Sequence, residues 1–245
     1  MYDIINSTNL NLTKGLILTG NKVIKDIRLY KSGLQNGFGD SVTTSFADKK
    51  LNAITQRIVM KLRENEFSLG EFDHLYINFI PSDKVENIRL SDAVDRYHPW
   101  YRNCFVPVDM ILYNNLRSEG SYNDIIHWIT TVLVTCFSTD NFSEAHIFSC
   151  VQQAVDQGED MLMKFKEKTS AKRKAVIFLR FLDSCKFYPL LRVYDIENNL
   201  LFESDLPETV MLDYLGDIQV STKRVTIKPR KNAFTKQVNP LVFEY

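Results

Sequence analysis

Apolar residues recur along this chain in two periods, and the change of period marks the change of element. Ile27 and Leu29 alternate with Arg28 and Tyr30, the pattern of a half-buried strand. Before them, the short apolar run 16–18 ends at Gly20-Asn21, a turn signal. Gly33, Gly37 and Gly39 predict a loop over 33–40, and 41–46 predicts another strand. Asp48 is placed to cap a helix in which Leu51, Ile54, Ile58 and Leu62 share one face, with Lys, Arg and Gln opposite. Gly70 closes that unit. Residues 72–80 then alternate strictly: Leu75, Ile77 and Phe79 point one way, His74, Tyr76 and Asn78 the other. Pro81 ends the strand.

Residues 82–106 have no period and are expected to be irregular and aromatic. A short helix is expected from 108 to about 117, stopping near Gly120. Ser121 opens a helix that buries Ile125, Ile129, Val132, Leu133 and Phe137. Ser143 caps what the pattern makes the longest helix, with Ile147, Val151, Ala154, Met161 and Phe165 as its stripe. Lys164, Lys166 and Lys168 then crowd its C-terminus, where cations complement the macrodipole. Strands at 175–182, 188–195 and 200–203 read as a meander, with Asp183-Ser184 and Glu197-Asn198-Asn199 in its turns. Pro207 suits the first turn of a short helix ending at Gly216. Further strands are expected at 218–220, 224–228 and 240–244.

The element order is strands, helix, strand, helices, strands. It disfavours a doubly wound parallel sheet and predicts an α+β fold: mixed or antiparallel sheets, a central group of helices, and β-rich N- and C-terminal parts. No internal repeat, low-complexity tract or Pro/Ser-rich linker breaks the chain. The expectation is a single α+β domain over 1–245, with the polar, basic stretch 169–174 as a possible boundary between lobes 1–170 and 171–245.

A chain of 245 residues, 44% hydrophobic and 24% charged, can build a core without disulfides or metal. Lys+Arg and Asp+Glu each number 30, so the global positive excess of a dedicated nucleic-acid binder is missing. Cys104, Cys136, Cys150 and Cys185 are widely spaced with no Cys-x-x-Cys pair, which suggests buried thiols in a reducing compartment. The start of the chain lacks a basic segment followed by an apolar one, and no apolar run reaches bilayer length. A cytoplasmic protein away from membranes is expected, which makes the Asn-x-Ser/Thr triplets at Asn6, Asn11 and Asn141 chance occurrences.

Nucleophile-elbow and phosphate-loop motifs are absent. Gly33, Gly37 and Gly39 make only a fragment of a dinucleotide fingerprint, and the β-branched stretch after them is the wrong context. His146 and Cys150 share a helix face but need a second pair, such as His127 or Cys136, to hold zinc. Neither cofactor nor metal is expected. The densest chemically able cluster is His98-Pro99-Trp100-Tyr101-Arg102. His98 has the chemistry of a general base and Arg102 that of an anion holder, yet no Ser, Cys or Asp stands at a spacing that implies partnership. The segment reads as a core-packing loop with Trp100 buried, as a protein-binding hot spot, or as a catalytic cluster. His74, Tyr76 and Asn78 form a polar strand face, either solvated or the floor of a site. Finally, 203–217 holds five acidic and no basic residues, and 223–236 six basic and no acidic ones. The two segments face each other or solvate their surface, or the second contacts RNA or DNA.

The stretch Phe72-Asp73-His74-Leu75-Tyr76-Ile77-Asn78-Phe79-Ile80-Pro81 is followed by His98-Pro99-Trp100-Tyr101-Arg102, by Val106-Pro107-Val108-Asp109 and by a helix. In this layout, over roughly residues 72–137, the chain resembles small bacterial immunity proteins of polymorphic-toxin and contact-dependent inhibition systems. The resemblance implies a non-catalytic protein that binds a cognate toxin domain in the cytoplasm and blocks its active site or substrate path. Such families share no catalytic residues, so none carries over. His98, Trp100, Tyr101, Arg102, His74 and Tyr76 are then the candidate partner-binding residues. The alternatives are an enzyme with a site built from His74, Tyr76, His98 and Arg102, and an RNA-associated protein using 223–236.

Overall fold

A computed structural model describes residues 22–33, 44–45, 48–83, 87–182 and 186–245. The strand expected at 16–18, most of the 33–40 loop, the Asp183-Ser184 turn and Cys185 lie outside the described residues.

The first half of the chain builds a five-stranded sheet from β1 (Asp26–Lys31), β2 (Thr44–Ser45), β3 (His74–Pro81), β4 (Arg89–Leu90) and β5 (Tyr101–Val108). The order is β2-β1-β3-β5-β4. β1, β3 and β5 run parallel, and β2 and β4 are antiparallel edges. Helix α1 (Lys49–Glu64) crosses between β1 and β3. The Asp48 carboxylate caps it by accepting from the Leu51 N–H at 2.8 Å. At the other end the Asn65 side-chain amide donates to the Lys61 carbonyl, and Gly70 turns the chain at φ 89°. Leu51, Ile58 and Leu62 are buried as expected, and Ile54 packs against them. Arg57 and Lys61, expected on the solvent face, are buried as well. The Arg57 guanidinium donates to the Phe181 carbonyl at 3.0 Å, and Lys61 pairs with Glu64 at 2.7 Å. The C-terminal half of the chain packs on this flank of α1, so the helix is covered on more than one stripe.

β5 corrects the expectation that 82–106 is irregular. Its sequence does not alternate, and Pro107 argues against a central strand. The structure reconciles the two. β4 reaches β5 only at Cys104 and Phe105, so Pro107 lies where β5 has a neighbour on one side alone and its missing N–H costs no ladder bond there.

Helix α2 (Met110–Asn115) is shorter than expected and is capped by Asp109, which accepts from the Leu112 N–H at 2.8 Å. A 3₁₀ turn, Glu119–Ser121, leads into α3 (Tyr122–Phe137), which buries the five expected apolar residues. Helix α4 (Glu144–Gln157), capped by Ser143, ends before the expected stripe does. Gly158, at φ 52°, breaks it. Met161 and Phe165 therefore leave the helix, and Lys164, Lys166 and Lys168 lie on a strand, β6 (Met163–Thr169). With 14 residues α4 is shorter than α1 and α3, at 16 each. Lys166 does not answer a helix dipole: its ammonium donates to the carbonyls of Leu215 and Gly216. Burial, helped by nearby Arg230, pushes its pKa down.

β6 adds a fourth strand to the expected meander, which continues through β7 (Lys174–Arg180), β8 (Tyr188–Tyr194) and β9 (Leu200–Asp205), all antiparallel. Residues 170–173, where a lobe boundary was expected, form the turn of the β6–β7 hairpin, closed by Ser170 N–H to the Arg173 carbonyl at 2.8 Å. No helix starts at Pro207. Thr209 instead exchanges two backbone hydrogen bonds with Phe187, which holds it extended, and only the 3₁₀ turn Leu212–Tyr214 precedes Gly216. β10 (Asp217–Val220), β11 (Arg224–Lys228) and β12 (Leu241–Glu244) form a three-stranded antiparallel sheet. One continuous set of buried side chains runs through Ile24, Phe67, Phe79, Phe137, Ile177 and Ile227. The fold is α+β, with mixed and antiparallel sheets and its strands concentrated in the N- and C-terminal parts.

Candidate protein-contact face

In-register parallel strands place matched side chains on one face. Asp26, His74 and Tyr101 make one row across β1, β3 and β5, and Arg28, Tyr76 and Asn103 make the next. The opposite face, with Ile27, Leu29, Leu75, Ile77 and Cys104, is buried against the helices. Parallel sheets ordinarily bury both faces under helices; here the second carries polar and aromatic groups. The Tyr76 and Tyr101 rings stack at 4.4 Å, and Tyr30 tilts against Tyr76 at 5.5 Å. The Arg28 guanidinium lies 5.3 Å from the centre of the Tyr76 ring and is steadied by Asp26 at 2.7 Å. Asp26 in turn accepts from Gln56 of α1 at 2.8 Å. Asn78 is not solvated as the alternation suggested. It is buried and donates to the Asn103 side chain and the Tyr76 carbonyl, both at 3.0 Å. Burial raises the pKa of Tyr76 and of Tyr101, and for Tyr101 the nearby Asp95 adds to it.

The loop entering β5 is organised by Asp95. Its carboxylate accepts from the Tyr97 N–H at 2.8 Å, the His98 N–H at 2.9 Å and the Tyr101 hydroxyl at 3.2 Å. The Tyr97 bond first, then the others, holds this carboxyl below its ordinary pKa. The His98 ring lies 3.4 Å from the same carboxylate and meets Trp100 edge-on at 4.7 Å. Trp100 is not a core residue: it is 39% exposed, and beside it Val94 is 53% and Tyr97 78% exposed. The strand start is fixed by Asp73, which pairs with Lys25 at 2.6 Å and with the His74 ring at 2.5 Å. Burial works to raise the Asp73 pKa, but the bonds from Lys25 and His74 outweigh it and keep the carboxyl low. The N–H groups of Asp73 and His74 both donate to the Trp100 carbonyl, at 3.0 and 3.1 Å.

The structure thus brings Tyr76 and Tyr101 into contact, gathers Tyr101 and His98 on the Asp95 carboxylate with Trp100 against His98, and places His74 in register with Tyr101. Arg102 is turned away. Its guanidinium lies 5.2 Å over Phe72, on the helix side of the sheet, and donates to the Pro99 and Tyr101 carbonyls at 3.1 and 2.8 Å. It braces the loop and does not converge on His74, Tyr76 and His98. Sequence spacing had given His98 no acidic partner; Asp95, three residues before it, and Asp73, next to His74, are partners it missed. Tyr30 and Arg28 were missed too, because only the register of β1 against β3 brings them to this face. The signal for Asp95 was available: an Asp shortly before a turn commonly binds backbone N–H groups two or three residues on. The cluster lies at the amino ends of β3 and β5, whereas ligand crevices in α/β sheets lie at the carboxyl ends.

Other chemically interesting places lie apart from this face. A pocket of about 570 Å³ opens between α2 and α3, lined by Asp109, Ile111, Asn115, Asp124, His127 and Trp128. His146 stacks on Phe142 at 4.0 Å, and Cys150 is buried. Among the described residues no group of three His, Cys, Asp or Glu is arranged to hold a metal ion, and no helix is long and apolar enough to cross a membrane. In the basic segment Lys228 stands opposite Asp217, Arg224 opposite Glu244, and Arg230 lies 3.6 Å from Asp213. The acidic and basic runs therefore partly face each other, leaving Lys223, Lys231 and Lys236 without an ion pair among the described residues. Compared with known proteins, the chain matches no family model, no curated protein and no solved structure.

Proposed function

We propose that this chain is a non-catalytic, cytoplasmic immunity-type protein that binds a cognate toxin domain through the Asp95-organised loop and the adjoining tyrosine face. One observation carries the reading: Val94, Tyr97 and Trp100 are exposed on a loop whose backbone is already fixed by the Asp95 carboxylate. Large aromatic anchors supply most of the energy of a protein interface. A loop ordered before binding loses little further entropy when the partner arrives. Toxin, as the partner class, rests on the sequence layout over 72–137.

The test is co-expression with each candidate secreted toxin domain encoded beside its gene. The expected outcome is a stoichiometric complex and rescue of growth. A folded protein that neither co-purifies with any such domain nor protects against it overturns the proposal.

A further inference from the structure

The segment that joins β11 to β12 encloses a hollow of about 570 Å³, within the usual size range of ligand pockets. Its charged lining is wholly cationic: Lys228, Lys231 and Lys236. Lys228 stands in register with Asp217 across β10 and β11. Among the described residues Arg230 pairs with Asp213 at 3.6 Å, while Lys231 and Lys236 have no ion pair. Pro229, Val238 and Pro240 supply an apolar wall. Phe234 sits between the lining residues Ala233 and Thr235 and is 73% exposed. The loop is also fixed in place. The Asn232 side-chain oxygen accepts from the Phe234 N–H at 2.9 Å and the Thr235 N–H at 3.1 Å, and its amide donates to the Asp213 carboxylate at 2.8 Å. The buried Thr235 hydroxyl donates to the Arg230 carbonyl, and the Arg230 N–H donates to the Asp213 carbonyl at 2.8 Å. A ligand therefore meets a shape that is already set, and little further entropy is lost on binding.

We propose that this hollow binds single-stranded nucleic acid, with the lysines taking backbone phosphates and Phe234 giving a base a ring to stack on. Lysine ammonium groups serve as point charges for phosphate. An unpaired base has a flat apolar face that suits both the proline and valine wall and the exposed phenyl ring. A duplex keeps its bases turned inward, so it meets the lysines alone, and the zero net charge of the chain gives it no long basic track. A membrane surface is flat and leaves a hollow unfilled, and a single exposed phenylalanine is a weak anchor in it. None of these residues belongs to the sheet of β1, β3 and β5, so the site is separate from the proposed toxin-contact face.

The test follows the fluorescence anisotropy of a labelled oligouridine of about eight nucleotides as the full chain is added. Two to three phosphate contacts, each worth about 0.7 in the salt slope, predict an affinity that falls roughly 7- to 20-fold between about 50 and 200 mM salt. Lys231→Gln combined with Lys236→Gln should weaken binding and flatten the slope to about −0.7 or less. Phe234→Ala should weaken binding roughly 5- to 150-fold and leave the slope unchanged. Lys168→Gln, an equal loss of charge on exposed β6, should bind as the parent does. All of these side chains are exposed, and thermal melts confirm that each variant is folded. No binding at about 50 mM salt, a duplex of the same length bound as tightly, or lysine and phenylalanine variants that bind as the parent does would each overturn the proposal. So would association with phosphatidylserine vesicles in place of the oligonucleotide.

Discussion

Removal of the Tyr97 side chain separates the contact reading from a structural one. In the free protein the ring has little to hold it: it is 78% exposed, and the Arg96 guanidinium is a neighbour at 6.0 Å. Tyr97→Ala should therefore change stability by less than about 0.5 kcal/mol. A tyrosine side chain presents about 200 Å² in all, so about 150 Å² of this one awaits a partner. At about 25 cal/mol per Å², complete coverage is worth about 4 kcal/mol, an upper bound because the hydroxyl end is polar. Trp100, 39% exposed, leaves about 100 Å² and about 2.5 kcal/mol by the same arithmetic. A loss of about 2–3 kcal/mol from either alanine variant weakens binding roughly 30- to 150-fold. Calorimetric titration of each variant against the purified toxin domain reads this directly, with thermal melts run alongside. Phe234→Ala, 73% exposed in the turn between β11 and β12, is the control and should bind as the parent does. Alanine variants of Tyr97 and Trp100 that melt as the parent does and bind within about threefold of it would refute the assignment of this face.

Other consequences can be checked on the isolated protein. Asp48 caps α1 and also accepts the Tyr122 hydroxyl at 2.5 Å, so Asp48→Ala should cost roughly 2 kcal/mol by urea denaturation, partly shared with Tyr122→Phe in a double-mutant cycle. Burial favours a raised Asp48 pKa, but the Leu51 N–H and Tyr122 hydroxyl outweigh it and lower it; the Asp48 contribution is therefore complete above the unfolded value of about 3.9 and fades as pH falls through the lower folded value, narrowing the gap between parent and Asp48→Asn in acid melts. A Cβ on Gly216 would stand 2.4 Å from the Arg230 nitrogen and 2.5 Å from the Lys228 oxygen, both backbone, so Gly216→Ala should lower the urea midpoint by the equivalent of about 2–3 kcal/mol. Lys166→Met strands the Leu215 and Gly216 carbonyls and should cost about 1–3 kcal/mol in the same assay, with a less-than-additive effect on top of Gly216→Ala.

Elements that close their own local accounts were legible in the sequence. Asp48 and Ser143 announced α1 and α4, the alternation over 74–80 announced β3, and turn chemistry announced the C-terminal meander. What escaped depends on distant neighbours. β5 is a strand because β3 supplies its ladder, although Pro107 and its unbroken apolar run speak against it. The end of α4 was overrun because Met161 and Phe165 happen to continue a helical period past Gly158; Met161 is buried just before β6 and Phe165 packs partly buried on it instead. Arg57 and Lys61 read as solvent-facing because nothing local reveals that the C-terminal sheet covers that flank. For the candidate face, the His98–Arg102 cluster was visible, but its geometry was not. Parallel register brought in Arg28 and Tyr30, and side-chain direction removed Arg102.

The parallel run of β1, β3 and β5 also dictates the order in which a growing chain becomes folded. No two of these strands are joined by a tight turn, so none can zip to its neighbour until an intervening crossover has been synthesised. The row of Arg28, Tyr76 and Asn103 exists only once β5 has left the ribosome. At that moment α1 is already in place, but the β5 end of the reverse side, with Val106, still lacks its cover, because Phe137 and the rest of α3 have yet to emerge. A nascent-chain holdase should therefore engage this protein during the stretch of translation between β5 and α3, and let go when the helix closes over the strands.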